Sequence, residues 1–188
     1  MTRSLSLPYD PNPVPSSVEE LPAFLFDELR RISLALYATP VTFADRESET
    51  IEIGPAVIWR RLFDTGGTPI WEVPGGQFDN ATGIWTCPQK GLYSMSATIT
   101  VQPFGGVGGK SYYAGLRMTV EQNAAIVYQI ETSDGGFDDV PLGVTLSGMI
   151  PLQQGDQVYV DAAVVHENQT GTVDVVDSWQ IIREAGEG

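Results

Sequence analysis

The chain has 188 residues, 42% of them hydrophobic and 18% charged, enough apolar material for one domain-sized core and too little charge for an extended disordered tail. Its 24 acidic residues outnumber 10 basic ones, a formal charge of −14, and a field of that sign repels phosphate backbones and anionic bilayers, so neither nucleic acid nor membrane insertion is expected. Cys87 is the single cysteine and cannot form an internal disulfide.

No stretch approaches the roughly 18 uninterrupted apolar residues of a membrane span, and the opening residues lack the apolar run of a secretory leader. Residues 1–16 carry Pro8, Pro11, Pro13 and Pro15; such prolines fix φ and remove backbone donors, which predicts an extended arm. The period then changes. Ser17 with Glu20 reads as a capping box, with Pro22 tolerable in the first turn. Leu21, Leu25, Leu29, Ile32 and Leu36 are spaced by four, four, three and four residues, which predicts one amphipathic helix within residues 17–37. From Pro22 to Leu36 it would be about 22 Å long, too short to be stable alone in water. It needs a surface to pack on: its own domain, further copies of itself, or a larger assembly.

Residues 38–50 read as a linker, and residues 51–188 as the main domain. Strand-like runs recur at 51–53, 57–63, 70–73, 91–101, 112–121, 124–130, 144–150, 157–165 and 178–183. They are separated by turn formers such as Thr65-Gly-Gly, Pro74-Gly-Gly and Ser133-Asp-Gly-Gly. Many short strands without intervening helical patterns predict an all-β fold, an antiparallel jelly-roll sandwich of about eight to ten strands.

Catalysis finds little support. His166 is the only histidine, and nothing in its spacing supplies a nucleophile and an orienting partner; it reads as a solvent-facing loop imidazole. Cys87 follows Trp85-Thr86 and reads as a small buried hydrophobe. The run Gly105-Gly-Val-Gly-Gly-Lys110 lacks the following helix of a phosphate loop and reads as a loop tip. No cofactor and no enzymatic activity are expected. Asp134, Asp138 and Asp139 could offer oxygen ligands to calcium, but their spacing implies no particular geometry and an acidic surface loop accounts for them. Two loops are candidate binding segments, because loops on a rigid scaffold often carry recognition. One is Phe104 to Gly109 with Lys110, and the other is Ser133 to Asp139, containing Asp134, Phe137, Asp138 and Asp139.

Asn80, Gly83, Trp85, Gly91 and Tyr93 are arranged as an asparagine, a turn glycine, an aromatic residue opening a strand, then glycine-x-tyrosine. In order and spacing they resemble the signature of the complement C1q globular head, a relative of tumour necrosis factor. The segment Leu152-Gln-Gln-Gly155-Asp156, leading into Val158-Tyr159-Val160, and the closing run Asp177-Ser-Trp179 are also similar to that family. Met95 stands where phenylalanine is usual and Lys90 where proline commonly precedes the glycine. The resemblance implies a jelly roll and a compact homotrimer; its residues build scaffold and do not define a ligand site.

Residues 13–36 resemble the short N-terminal region that joins appendages to the particle in small structural proteins of tailed bacteriophages. Together the two resemblances imply a virion protein assembled in a bacterial cytoplasm. In that reading residues 1–40 dock on a capsid or tail protein, Leu21, Leu25, Leu29, Ile32 and Leu36 bury the contact, and the jelly roll projects as a head decoration or short fibre. The alternative expectation is a module whose loops recognise a glycan or protein receptor on the host surface. Charge follows the same division. Residues 118–188 hold 12 acids against Arg183, a balance of −11, whereas residues 1–40 hold five acids against three arginines, a balance of −2. An outward-facing acidic head is the expectation.

Overall fold

The computed structural model describes residues 22, 24–29, 42–66, 69–72, 77–103 and 111–184. The chain divides into two units, one ending at Pro40 and one starting at Val41. In the first, Pro22 and residues 24–29 are helical, with Leu25, Phe26 and Leu29 exposed. The proline-rich arm and Leu21, Ile32 and Leu36 lie outside the described residues, as does the rest of the expected helix.

The second unit is built from strands: β1 (Thr42–Gly54), β2 (Arg60–Arg61), β3 (Trp71–Glu72), β4 (Phe78–Asp79), β5 (Ile84–Thr86), β6 (Gly91–Val101), β7 (Ser111–Gln122), β8 (Ala125–Phe137), β9 (Leu142–Leu152), β10 (Gln157–Val165) and β11 (Gly171–Arg183). One layer runs β1-β11-β6-β9, and the other runs β4-β5-β10-β7-β8. The layers touch along a short parallel pairing, Ile53 with Val164 and Gly54 with Val165. This is the jelly-roll sandwich expected from the turn spacing, with strands distant in sequence made neighbours.

Alternation explains the core. In β6, Tyr93, Met95, Ala97, Ile99 and Val101 are buried, while the intervening Ser94, Ser96, Thr98 and Thr100 are not, the period-two pattern of a strand with one face inward. Trp179 on β11 packs edge-on against Phe43 at 5.1 Å and Phe78 at 6.0 Å, and tilted against Phe63 at 5.7 Å. Trp85 and Tyr93 form a second T-shaped pair at 5.5 Å. Rings at these distances add attraction to the large apolar areas they bury.

Three expectations are corrected. Residues 42–50 are not a linker but most of β1, paired with β11 from Thr42↔Ile182 to Ile53↔Gly171. Their inward positions are Asp45, Glu47 and Glu49, between Phe43 and Ile51, so the strand carries no apolar alternation to recognise. The run 57–63 is not a full strand: only β2 pairs, with Asp161 and Ala162 of β10. That edge of β10 is taken by β5 at residues 157–159 and by β1 at 164–165, which leaves only residues 160–163 between them, and β2 pairs with the middle two. Ser133 to Phe137 is not a loop but the end of β8, paired to Ser111 through Gly115 of β7. Its glycines stay in register because neighbours fill their side-chain space: a Cβ on Gly135 would meet the Tyr113 ring at 3.3 Å, and one on Gly136 would meet Leu142 at 3.2 Å.

Candidate functional site

The acidic face of β1 gathers the most unusual chemistry in the molecule. Glu47 lies directly across from Asp177 of β11. Asp177 is 1% exposed, with the backbone N–H groups of Asp177 itself and of Glu47 beside its carboxylate. The neighbouring Glu49 carboxyl hydrogen-bonds to it as well. Two carboxyls in contact are stable when one keeps its proton. Burial first, and then the Asp177 charge, pushes Glu49 up; burial is also the main cause that raises Asp177, with the Glu47 charge adding to it. Asp45, 3% exposed, is raised by its burial as well.

The segment after β2 covers this cluster. Phe63 holds a left-handed backbone, φ 61°, a conformation unfavourable for a residue with a Cβ. Its N–H donates to Glu49 Oε1 at 2.5 Å and the Thr65 hydroxyl donates to Glu47 Oε2 at 2.6 Å. The strained residue is thereby tied to the acidic strand while its ring enters the core. Among the described residues no three His, Cys, Asp or Glu side chains are placed to hold a metal ion.

A second network lies on the outward face of β10. Asp161, 4% exposed, receives the Arg61 Nε–H at 3.0 Å on one oxygen and Arg117 at 2.9 and 3.2 Å on the other. The Arg61 guanidinium stacks on Tyr159 at 3.5 Å, and that of Arg117 lies over Trp59 at 4.5 Å. The Tyr159 hydroxyl donates to Glu121 Oε1 at 2.5 Å. A buried carboxylate shared by two guanidiniums is the compensated form in which a charge tolerates burial.

The signature residues hold these strands in place. Gly83 has φ 65° and donates its N–H to Asp79 O at 2.8 Å; a Cβ there would fall 2.3 Å from Leu62 O. Asn80 meets Gly66 through backbone and side chain. Gly91 leaves room for Arg183, whose Nε would lie 2.8 Å from a Cβ. The Tyr93 hydroxyl donates to Gln89 O at 2.5 Å. Gly155, φ 89°, donates to Cys87 O, and Cys87 N–H donates to Asp156 O, both at 2.8 Å. Asp156 is buried and accepts from Gln122 and from the Gln153 N–H. The Cys87 thiol is buried and donates to Gln89 O, and burial pushes its pKa up, which fits a packing residue.

Other sequence-derived candidates fare differently. Phe104 and Lys110 lie outside the described residues. Phe137 and Asp139 are exposed, Asp134 is exposed on β8, and Asp138 is completely buried, so the four do not form one presented loop. His166 is not solvent-facing: it is fully buried, donates its N–H to Gly54 O at 2.9 Å and accepts the Asn168 N–H at Nδ1 at 3.2 Å. It lies beside the point where β1 and β10 meet, and that long-range junction removes it from water. Nor is the acidic half wholly outward, since Asp138, Asp156, Asp161 and Asp177 are all buried. The acidic strand was missed for lack of apolar alternation; the one available signal was its strict every-other-residue spacing of carboxylates.

Among solved structures, the fold is similar to the globular domain of zebrafish complement 1qA at 14% identity, covering 74% of this chain and 94% of that one with a TM-score of 0.45. Eiger TNF from S. frugiperda is similar at 12% identity, 80% and 94% coverage and a TM-score of 0.45. A chain of infectious bursal disease virus, Gx strain, shares the fold at 8% identity, with 79% and 33% coverage and a TM-score of 0.53. No curated protein sequence matches. Among the described residues no helix is long and apolar enough to cross a membrane. C1q- and TNF-like domains commonly form homotrimers and are typically non-enzymatic binding or structural modules. The family model of the C1q domain matches residues 70–175, more than half of the chain, and the strands follow jelly-roll order, so the chain belongs to the C1q domain family.

Proposed function

We propose that this protein is a non-enzymatic structural component of a tailed-bacteriophage virion, a homotrimer whose jelly roll is displayed while residues 1–40 dock on a capsid or tail protein. The observation that carries the reading is the division of the chain at residue 40, with Leu25, Phe26 and Leu29 exposed on the helical residues before it. Apolar side chains left in water at that density favour burial against another protein. That a virus chain contains this fold makes a particle role compatible with the architecture.

Trimer formation draws support from the open edge of the sandwich. Among the described residues β8 and β9 each pair on one side only, and Ile126, Val127, Tyr128 and Met149 are exposed there. Unpaired edges bearing apolar residues are the surfaces a neighbouring copy protects. Three copies at −14 each carry −42, so the contact buries apolar edges and leaves the exposed acids outward.

Deleting residues 1–40 tests the assignment. The truncated chain is expected to remain a folded trimer by light scattering and to be absent from purified particles. Incorporation at the wild-type level refutes the anchor, and a monomeric full-length chain refutes the trimer.

A further inference from the structure

The outward face of β10, β7 and β8 holds a cavity of about 550 Å³ that neither the anchor nor the open edge uses, within the size range of small-molecule sites. Its floor comes from the strand register. Ala163, Gly115 and Ser133 lie side by side across the three strands, so side chains are smallest along one row. The adjoining rows are Val165, Tyr113 and Gly135 on one side and Asp161, Arg117 and Glu131 on the other.

Two aromatic rings are laid against this trough by glycines. A Cβ on Gly115 would fall 3.2 Å from the Trp59 ring, and one on Gly135 would fall 3.3 Å from the Tyr113 ring. Tyr113 is 58% exposed although it borders the cavity. The polar groups at the rim, Glu131 and Ser133, offer oxygen acceptors and one hydroxyl.

Charge decides the class of ligand. Among the described residues Arg117 is the cation adjoining the trough, and it is already bound to Asp161 and stacked on Trp59, so an anionic ligand would meet the Glu131 carboxylate with no free positive partner among them. A cationic ligand would find the Trp59 face already carrying a guanidinium that repels a second cation, which leaves it only the Tyr113 face and the Glu131 carboxylate. A neutral ring with an apolar face and several hydroxyl donors meets neither obstacle. It can lay its C–H face on Tyr113 and donate to Glu131 and Ser133.

We propose that this trough binds a neutral pyranose ring, with Tyr113 as the stacking platform and Glu131 as the principal hydroxyl acceptor. The inference is independent of the virion reading, which stands or falls by particle incorporation. Saturation-transfer NMR on the full chain tests it with the methyl glycosides of glucose, galactose and N-acetylglucosamine, with choline and N-acetylneuraminic acid as charged counterparts. At least one neutral glycoside is expected to bind saturably and more strongly than either charged probe. Tyr113→Ala should weaken it about tenfold, the loss of one aromatic contact, and Glu131→Gln should weaken it as well. Both side chains are exposed, so thermal midpoints should stay at the wild-type value and separate lost binding from lost folding. Absence of binding by all three neutral glycosides, preference for choline or the sialic acid, or undiminished binding in Tyr113→Ala at an unchanged midpoint overturns the proposal.

Discussion

Replacing Glu49 by glutamine should make the protein more stable, and more so the higher the pH. The folded carboxyl is raised from 4.5 to about 8, so the native state holds its proton more tightly than the unfolded chain does. The native state binds the extra proton between those values, so its stability falls as pH rises from about 4.5 to about 8 and is constant above that. Asp177, raised from 3.8 to about 6, acts in the same direction over a lower window. Full conversion of the Glu49 shift corresponds to roughly 4–5 kcal/mol; the group is only partly buried, and screening by water brings this to about 2 kcal/mol. Glutamine keeps an oxygen to accept the Phe63 N–H and gains an N–H to donate to Asp177, with no proton to lose. At pH 9 the variant should therefore melt about 4–8 °C above wild type for a domain of this size, and below pH 5 the two should converge. The assay is thermal or urea unfolding at fixed protomer concentration from pH 5 to 9.5, since association adds its own concentration dependence. The difference between the two proteins isolates Glu49 from every other titrating group. A wild-type midpoint no lower at pH 9 than at pH 6, or a variant offset that does not change with pH, refutes the shared-proton reasoning.

Backbone and buried-charge substitutions extend the test. Gly83→Ala places a Cβ 2.3 Å from a carbonyl oxygen at φ 65°, and calorimetry should record a loss of about 3 kcal/mol or more; Gly143→Ala, with nothing within 4 Å of its Cβ, should change stability by less than about 1 kcal/mol. Asp161→Ala strands Arg61 and Arg117 against a buried face and should cost about 3–5 kcal/mol by chemical denaturation. An effect below about 1 kcal/mol would mean the two guanidiniums find water.

Where an element's own side chains face one uniform environment, its pattern is visible in the chain. From Tyr93 to Val101 β6 alternates serine and threonine with apolar residues, and a turn glycine such as Gly83 announces itself because other residues pay in strain for its φ. The all-β class and the signature from Asn80 to Tyr93 were readable on those grounds. β1 was not, because half of its inward face is carboxylate, a composition that suits a loop until Asp177 from β11 and the Phe63 N–H arrive to share its protons and donors. Those partners lie 14 residues away in one case and on the final strand in the other, and no local rule anticipates them. The burial of His166 and Asp138, and the shortening of the 57–63 run to β2, depend likewise on which strand edge is already occupied. The −14 charge is a property of composition alone. Which acids face water, which share a proton and which clasp arginines is decided by register, because a carboxylate's cost or benefit is set by the groups brought within hydrogen-bonding distance.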